Sequence, residues 1–340
     1  MVTQKSILML VNNCSVSRAL YVVCAFCIVI FISCGKEKKI HRLTFAHNLP
    51  ISHPVHKGVV AFKDHLEKLS KGQLQLKIYP NGQLGSEREV IELLQIGSVS
   101  MTKVSAAAMS NFVPEYKVLG VPYLFRNKEH LFRVLEGPIG EELLKKGIDT
   151  WLRGLCFYTA GSRSFYTKDK ALERPVDLKG LKIRVMNDQL SVNLIKCLGA
   201  TPTPMAFGEL YTALQQGVVD GAENNIPSFV SSRHFEICKF YSLDEHSYVP
   251  DVVVMGTKFY ERLTSQERLW VLEAATKSVE DQKRFWEIAE KESMETLMKS
   301  GVKLIYPQKR KFNEKTNQII IDFMADAKMR KLIRSIDNFK

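Results

Sequence analysis

"LKGLKIRVMND", residues 178–188, is the stretch from which the fold can be read. Leu181, Ile183 and Val185 alternate with Lys182, Arg184 and Met186, the period-2 pattern of a strand with one buried face. "DQLSVNLIKCLG" (188–199) follows at once and reads as a helix. Arg184 lies on the face opposite the two β-branched residues. Taken alone, such an arginine is an ordinary solvated charge; whether it is aimed at something depends on the rest of the chain.

Downstream, "FGELYTALQQG" (207–217) reads as a second helix. The first half follows the same plan. "HRLTFAHNLP" (41–50) is a strand entering a polar loop, and Val55, Val59, Phe62, Leu66 and Leu69 mark one helix face that stops at Gly72. "QLQLKIYP" (73–80) alternates as a strand. "SEREVIELLQIG" (86–97) opens with the capping box Ser86/Glu89 and closes on Gly97. "MTKV" (101–104) and "GLCFYTA" (154–160) read as strands, so residues 40–160 read as β-α-β-α-β. "LLQIGSVS" (93–100) and "ALQQGVVD" (213–220) echo one another, which with the shared element order predicts two similar α/β domains.

From the capping box Thr264/Glu267 a helical pattern runs without Gly or Pro to Gly301, 36 residues from Ser265 to Ser300. At a helical rise of about 1.5 Å per residue it would reach about 54 Å, longer than a small domain is wide. Leu272, Ala275, Val279, Trp286, Ala289 and Leu297 fall near one stripe. Ala275, Lys283 and Glu290 interrupt any coiled-coil seam, so a helix bracing two domains is expected.

The N-terminus is of another kind. Lys5 and Arg18 are the only charges before Cys34, and Ala19–Ile32 is an unbroken apolar run. It is short for a membrane span but suits the core of a secretory signal. The run ends in "ISC" and resembles a lipoprotein cleavage box with Cys34 as the lipidated residue. Phe31 stands where such boxes usually carry Leu, which leaves ordinary cleavage as the alternative. Of seven cysteines, Cys156, Cys197 and Cys238 remain in the body of the chain, odd in number and far apart, which predicts buried free thiols. The formal charge of +12 falls to +10 without residues 1–33. No arginine stripe interleaved with aromatics accompanies it, so a nucleic-acid partner is not expected.

The chain has no phosphate loop, dinucleotide fingerprint, His-Glu-x-x-His or nucleophile elbow. His47, His53 and His56 could approach one metal, but no second cysteine or acidic ligand stands beside them. Glu87 and Glu89 flank Arg88 in a first helical turn rather than as a catalytic pair. No cofactor, metal or catalytic residue is expected, and a binding module is favoured over an enzyme.

"YPNGQLGSER", "GVPYLF", "GSRSFYT", "LKGLKIRV", "PTPMAFGELYTALQQG" and "VDGAENN" occur in order between about residues 41 and 335. In these motifs the chain resembles the DctP-type substrate-binding proteins of TRAP (tripartite ATP-independent periplasmic) transporters. The resemblance implies an α/β, two-domain clam like other periplasmic binding proteins, with the ligand cleft between domains and a long bracing helix. It implies a monomeric receptor that hands an organic acid to membrane permease subunits; a ligand-presenting sensor component is the alternative. The expected layout is signal peptide 1–33, tether 34–40, domain I at 41–161 and 249–289, domain II at 162–248 and 290–340, and the long helix at 265–300. The protein would be periplasmic, held at a membrane through Cys34.

The resemblance also implies the site. Arg184 matches the family's carboxylate-binding arginine, and a guanidinium can clamp a carboxylate with two parallel hydrogen bonds. Arg163 matches a second cleft arginine, against a loop salt bridge. Asn187 and Asn224 match amide ligands, against turn residues. Phe207 matches an aromatic packed on the ligand's carbon face, against a core phenylalanine. Asn48 and Glu87 match positions touching polyol groups, with helix capping the competing role for Glu87. Ser105 and Asn225 stand where sialate binders usually carry Glu and Pro. That disfavours sialate; the "GSRSFYT" and "VDGAENN" variants look most like those of relatives that bind sugar acids, so the resemblance implies a hexuronate such as glucuronate or galacturonate, with a diketogulonate-like acid, a dicarboxylate or sialate as alternatives.

Overall fold

The computed structural model describes residues 40–339; the expected signal, the tether up to Lys39 and the Cys34 lipid site lie outside the described residues. The described residues form eleven strands: β1 (His41–Ala46), β2 (Leu74–Tyr79), β3 (Met101–Ser105), β4 (Leu152–Tyr158), β5 (Arg163–Thr167), β6 (Lys182–Val185), β7 (Thr201–Pro204), β8 (Gly221–Asn224), β9 (Phe240–Ser247), β10 (Asp251–Gly256) and β11 (Lys303–Ile305). They form two mixed sheets, ordered β2-β1-β3-β10-β4 and β11-β9-β5-β8-β6-β7. The chain passes from the first sheet to the second after β4, returns for β10, and leaves again for β11. The α/β fold class is as expected.

The helices form where the caps place them. Ser86 and Glu89 make the reciprocal capping box of Glu87–Ile96, which closes on Gly97 in the left-handed region at φ 82°. His53, rather than a Ser or Thr, caps Pro54–Leu69 by accepting the Val55 N–H. Two helices that the sequence pattern had not marked, Lys128–Glu136 and Pro138–Lys145, lie between β3 and β4.

β10 was also unmarked. Its six residues, "DVVVMG", are all buried, and it pairs antiparallel with both β3 and β4. A central strand covered on both faces shows no alternation, so the period-2 test does not find it. Val252 and Val254 join one core with Val104, Tyr116 and Leu119; Val253 and Met255 join the other with Phe45, Phe62 and Tyr158.

The long helix runs Ser265–Lys299, 35 residues from a complete Thr264/Glu267 capping box. Its buried face is Val271, Ala275, Ser278, Gln282, Trp286, Ser293 and Leu297, whereas Leu272, expected on the apolar stripe, is exposed. The stripe rotates because the buried face carries polar anchors. Gln282 accepts the Thr159 N–H and donates to the Thr159 carbonyl, both at 2.9 Å, and the Ser278 hydroxyl meets Tyr158 Oη at 2.7 Å. The helix thus grips the chain where it leaves β4. Val271 and Trp286 enter a first-sheet core, while Leu297 enters a second-sheet core with Tyr166 and Tyr241.

The C-terminal helix Ala327–Asp337 departs from the expected layout. Ile333 and Ile336 enter the first-sheet core beside Val118, Leu119 and Leu131, although residues 290–340 had been expected with the second domain. Helical periodicity shows that this segment has an apolar face, not which core receives it. Cys156 and Cys238 are buried free thiols as expected, while Cys197 is only partly buried and its Sγ lies 2.7 Å from the Lys315 carbonyl.

Candidate functional site: a charged cavity lined by both sheets

Asn48, Glu87, Arg163, Arg184, Asn187, Phe207 and Asn224 all line one cavity of about 340 Å³. Arg163, Arg184 and Asn224 are on strands of the second sheet, Asn187 and Phe207 follow β6 and β7, Asn48 follows β1 of the first sheet, and Glu87 starts the helix Glu87–Ile96. The cavity is of the size that takes a small ligand.

Arg184 is buried at 3 % exposure. Its neighbours Ile183 and Val185 enter the core with Phe165 and Leu178, so the pleat turns Arg184 to the other face of β6. Nε and Nη2 donate to the Met205 carbonyl at 3.1 and 2.9 Å, and the guanidinium carbon lies 5.7 Å from the Phe207 ring centre. Among the described residues no carboxylate forms a salt bridge with it. Burial pushes its pKa down, yet a guanidinium keeps its proton, so the side chain is a desolvated cation without a counter-ion.

Arg163, at the start of β5, has a different environment. Nε donates to Glu223 Oε2 at 2.5 Å, Nη2 to Oε1 and to the Glu223 carbonyl at 2.9 Å each, and Nη1 to Asn224 Oδ1 at 2.9 Å. It lines the cavity and is also in a salt bridge, its charge cancelled within the protein. Asn224 Oδ1 further accepts from the Asn225 backbone N–H and side-chain amide, which leaves the Asn224 Nδ2 group as a donor. Asn225 meanwhile caps Ile226–Ser231 through the Ser228 N–H. Asn187 is exposed, and its carbonyl accepts from Asn111.

From the first sheet, Glu87 does not cap its helix; Ser86 and Glu89 do that. Its carboxylate accepts from the Ser105 N–H at 3.1 Å and the Ser105 hydroxyl at 2.8 Å, and it lies 3.3 Å from Lys103 Nζ. Lys103 also donates to Asp251 Oδ1 at 3.1 Å. Burial opposes the ammonium charge, but Asp251 and Glu87 outweigh it and hold its pKa above the ordinary lysine value. Asn48 Oδ1 is buried without a hydrogen-bond partner.

The three histidines do not converge. His47 Nε2 lies 3.0 Å from His56 Nδ1, while His53 spends Nδ1 on the Val55 N–H and faces Ser228 with Nε2 at 3.0 Å. Burial holds His47 down at about 3, so it is neutral at physiological pH.

Sequence reasoning missed Lys103, Asp251, Glu223 and His246. A lysine inside "MTKV" and an aspartate heading "DVVVMG" are charges on otherwise apolar strands, the one signal that could have marked them. Behind Arg163, buried His246 lies 3.4 Å from Glu223 and 2.9 Å from Asp244. Burial works against its charge, but Asp244 and Glu223 raise its pKa to about 9. Burial likewise disfavours the Glu223 anion, yet Arg163 and His246 bring its carboxyl to about 2.

Linkage sets the sign. A raised histidine stabilises fully below its unfolded value of about 6.5 and stops doing so as pH climbs through about 9. A depressed glutamate stabilises above about 4.5 and loses that contribution as pH falls through about 2. His47 and His234, held at about 3, and His53, also held low by burial, cost stability as pH falls below about 6.5, so ligand-free stability is expected to be greatest at about pH 7. Melting curves across pH 3–10 should show that the fall above pH 7 is blunted in His246→Gln; an unchanged alkaline limb in this variant would contradict the assignment.

The comparisons with known proteins agree with this fold. The family model for bacterial extracellular solute-binding proteins of family 7, DctP, matches residues 45–327. A TRAP periplasmic solute-binding protein from Bradyrhizobium sp. BTAi1, solved with α/β-D-galacturonate, is 39 % identical, with a TM-score of 0.86 over 88 % of this chain and 100 % of that one. One from Pseudomonas putida F1, solved with D-glucuronate, is 34 % identical, with a TM-score of 0.85 over 88 % and 97 %. A solute-binding protein of Chromohalobacter salexigens is 34 % identical over 255 residues, 75 % of this chain and 76 % of its own. The chain belongs to the DctP family of TRAP periplasmic solute-binding proteins, and is a binding protein rather than an enzyme.

Proposed function

We propose that this receptor captures a hexuronate, glucuronate or galacturonate, by clamping its carboxylate on Arg184, and delivers it to a TRAP permease. The observation that carries the reading is the buried Arg184 guanidinium, without a counter-ion, at the wall of a cavity of about 340 Å³. A desolvated cation is costly until an anion arrives, and a carboxylate matches its fork. In this reading Asn187 and the Asn224 amide donate to ligand oxygens, Phe207 covers its carbon face, and Asn48 and Glu87 accept from its hydroxyls; all five line the cavity. Solved relatives at 39 % and 34 % identity hold galacturonate and glucuronate. Arg163 is neutralised by Glu223, which disfavours a dicarboxylate held between two arginines.

In this reading the two sheets are the cores of two lobes, crossed after β4 and before β10 and braced by the long helix. Cys34 carries the lipid that keeps the receptor at a membrane. A thermal-shift panel of hexuronates, their neutral parent sugars, C4-dicarboxylates, diketogulonate and sialate tests the substrate class. A ligand that binds only the folded state raises Tm, by about 2.7 kcal/mol of stability at a hundredfold excess over Kd. Hexuronates should shift it and neutral sugars should not. Stabilisation by sialate or a C4-dicarboxylate alone would reject the assignment.

A further inference from the structure

We infer that the Lys103–Glu87–Asp251 cluster makes the cavity select against any acid bearing a second carboxylate. This rests on the hexuronate reading above and deepens it. The two sheets give the cavity unlike charge. On the second-sheet side Arg163 and Glu223 cancel, leaving Arg184 as a single positive centre. On the first-sheet side two carboxylates share one ammonium, Lys103 to Asp251 at 3.1 Å and to Glu87 at 3.3 Å, which leaves one net negative charge with both ionised; burial and the Glu87 charge push the Asp251 pKa up, against the pull of Lys103. Lys103 is 3 % and Asp251 5 % exposed, so water screens this imbalance little.

The hydrogen-bonding capacity has the same asymmetry. Lys103 reaches Asp251 through Oδ1 only, so Oδ2 is left to accept. Asn48 Oδ1 is a second acceptor on this side, buried and without a partner. The other cation lining this side, Arg88, is exposed and bonded to Glu92 at 3.1 Å. Hydroxyl groups can donate to such acceptors. A carboxylate can only accept, and would be desolvated against a net negative charge. The combination suits one carboxylate at one end of the ligand and hydroxyls at the other.

The test is calorimetric titration at pH 7 of D-glucuronate and D-galacturonate against D-glucarate and galactarate, which carry the second carboxylate. Wild type, Asp251→Asn and Glu87→Gln are compared. Wild type should bind each hexuronate about a hundredfold or more tighter than its aldarate. Each variant, having lost one negative charge, should narrow that ratio about tenfold. The change from ring to open chain is common to all three proteins, so the shift in ratio isolates the charge. If Asp251→Asn fails to fold, Glu87→Gln, whose carboxylate is partly exposed, carries the comparison. Equal wild-type affinity for aldarate and hexuronate, or a ratio unmoved by the variants, overturns the inference. If that happens while hexuronates still bind tightly and depend on Arg184, the hexuronate reading stands and only this inference falls. Tight aldarate binding with no hexuronate binding overturns both.

Discussion

Arg184→Ala is expected to abolish most of the affinity for the ligand while leaving the empty protein folded. Truncating one partner of a buried charge pair costs roughly 2–5 kcal/mol, about thirtyfold to a few thousandfold in Kd. Among the described residues, the only acceptor for this guanidinium is the Met205 carbonyl. Its removal therefore unpairs no charge and relieves a desolvated one, so the melting temperature without ligand should stay level or rise. Arg184→Lys should recover part of the affinity, because the charge returns without the bidentate fork. Titration calorimetry with the ligand from the thermal-shift panel gives the Kd of each variant. Near-wild-type affinity in Arg184→Ala would end the carboxylate-clamp mechanism.

Glu223→Ala should produce the opposite pattern, a large loss of stability. Glu223 is 3 % exposed and holds Arg163 through both carboxylate oxygens, with His246 3.4 Å away. Breaking a fully buried pair by removing one member costs about 3–5 kcal/mol, because the remaining charge is stranded. Arg163 would be stranded here, while His246 keeps Asp244 at 2.9 Å. Arg163→Ala should destabilise in the same way by leaving Glu223 unpaired. A denaturant titration reads both as a shift in midpoint at unchanged slope. A loss below 1 kcal/mol in both variants would show that the cluster relaxes or admits water. The two arginines of the cavity are thus separable by experiment, one acting on binding and the other chiefly on the fold.

Much of the fold follows from local chemistry. The boxes Ser86/Glu89 and Thr264/Glu267 start their helices as the sequence indicates, because a capping box is satisfied within four residues. Alternation marks β2 because it has a covered and an open face, and β6 because Ile183 and Val185 enter the core while Arg184 on the other face lines the cavity. The seven site positions came from the family resemblance, among them Arg184 in "LKGLKIRV", Arg163 in "GSRSFYT" and Asn224 in "VDGAENN", not from periodicity, and all seven line the cavity. By contrast β10, covered on both faces, and the C-terminal helix, whose apolar stripe fits either core, were not legible. The long helix turned its buried face toward Gln282 and Ser278 because their partners, Thr159 and Tyr158, lie more than a hundred residues away.

The same division holds at the site. By itself, the sequence determined that Arg184 leaves the core face of its strand, that Ser86 and Glu89 form the box that starts their helix, and that one long helix starts at the Thr264/Glu267 box. These depend on residues a few positions apart, and pleat and helical turn repeat over that range. Only the tertiary structure decided which charges are free. Arg163 and Arg184 look alike in sequence, yet Glu223, 60 residues from Arg163, neutralises the first. Asp251, 148 residues from Lys103, joins Glu87 in leaving the first-sheet side negative. A side chain's net charge in a cavity depends on what the fold brings within about 4 Å of it, and local periodicity carries no record of such partners.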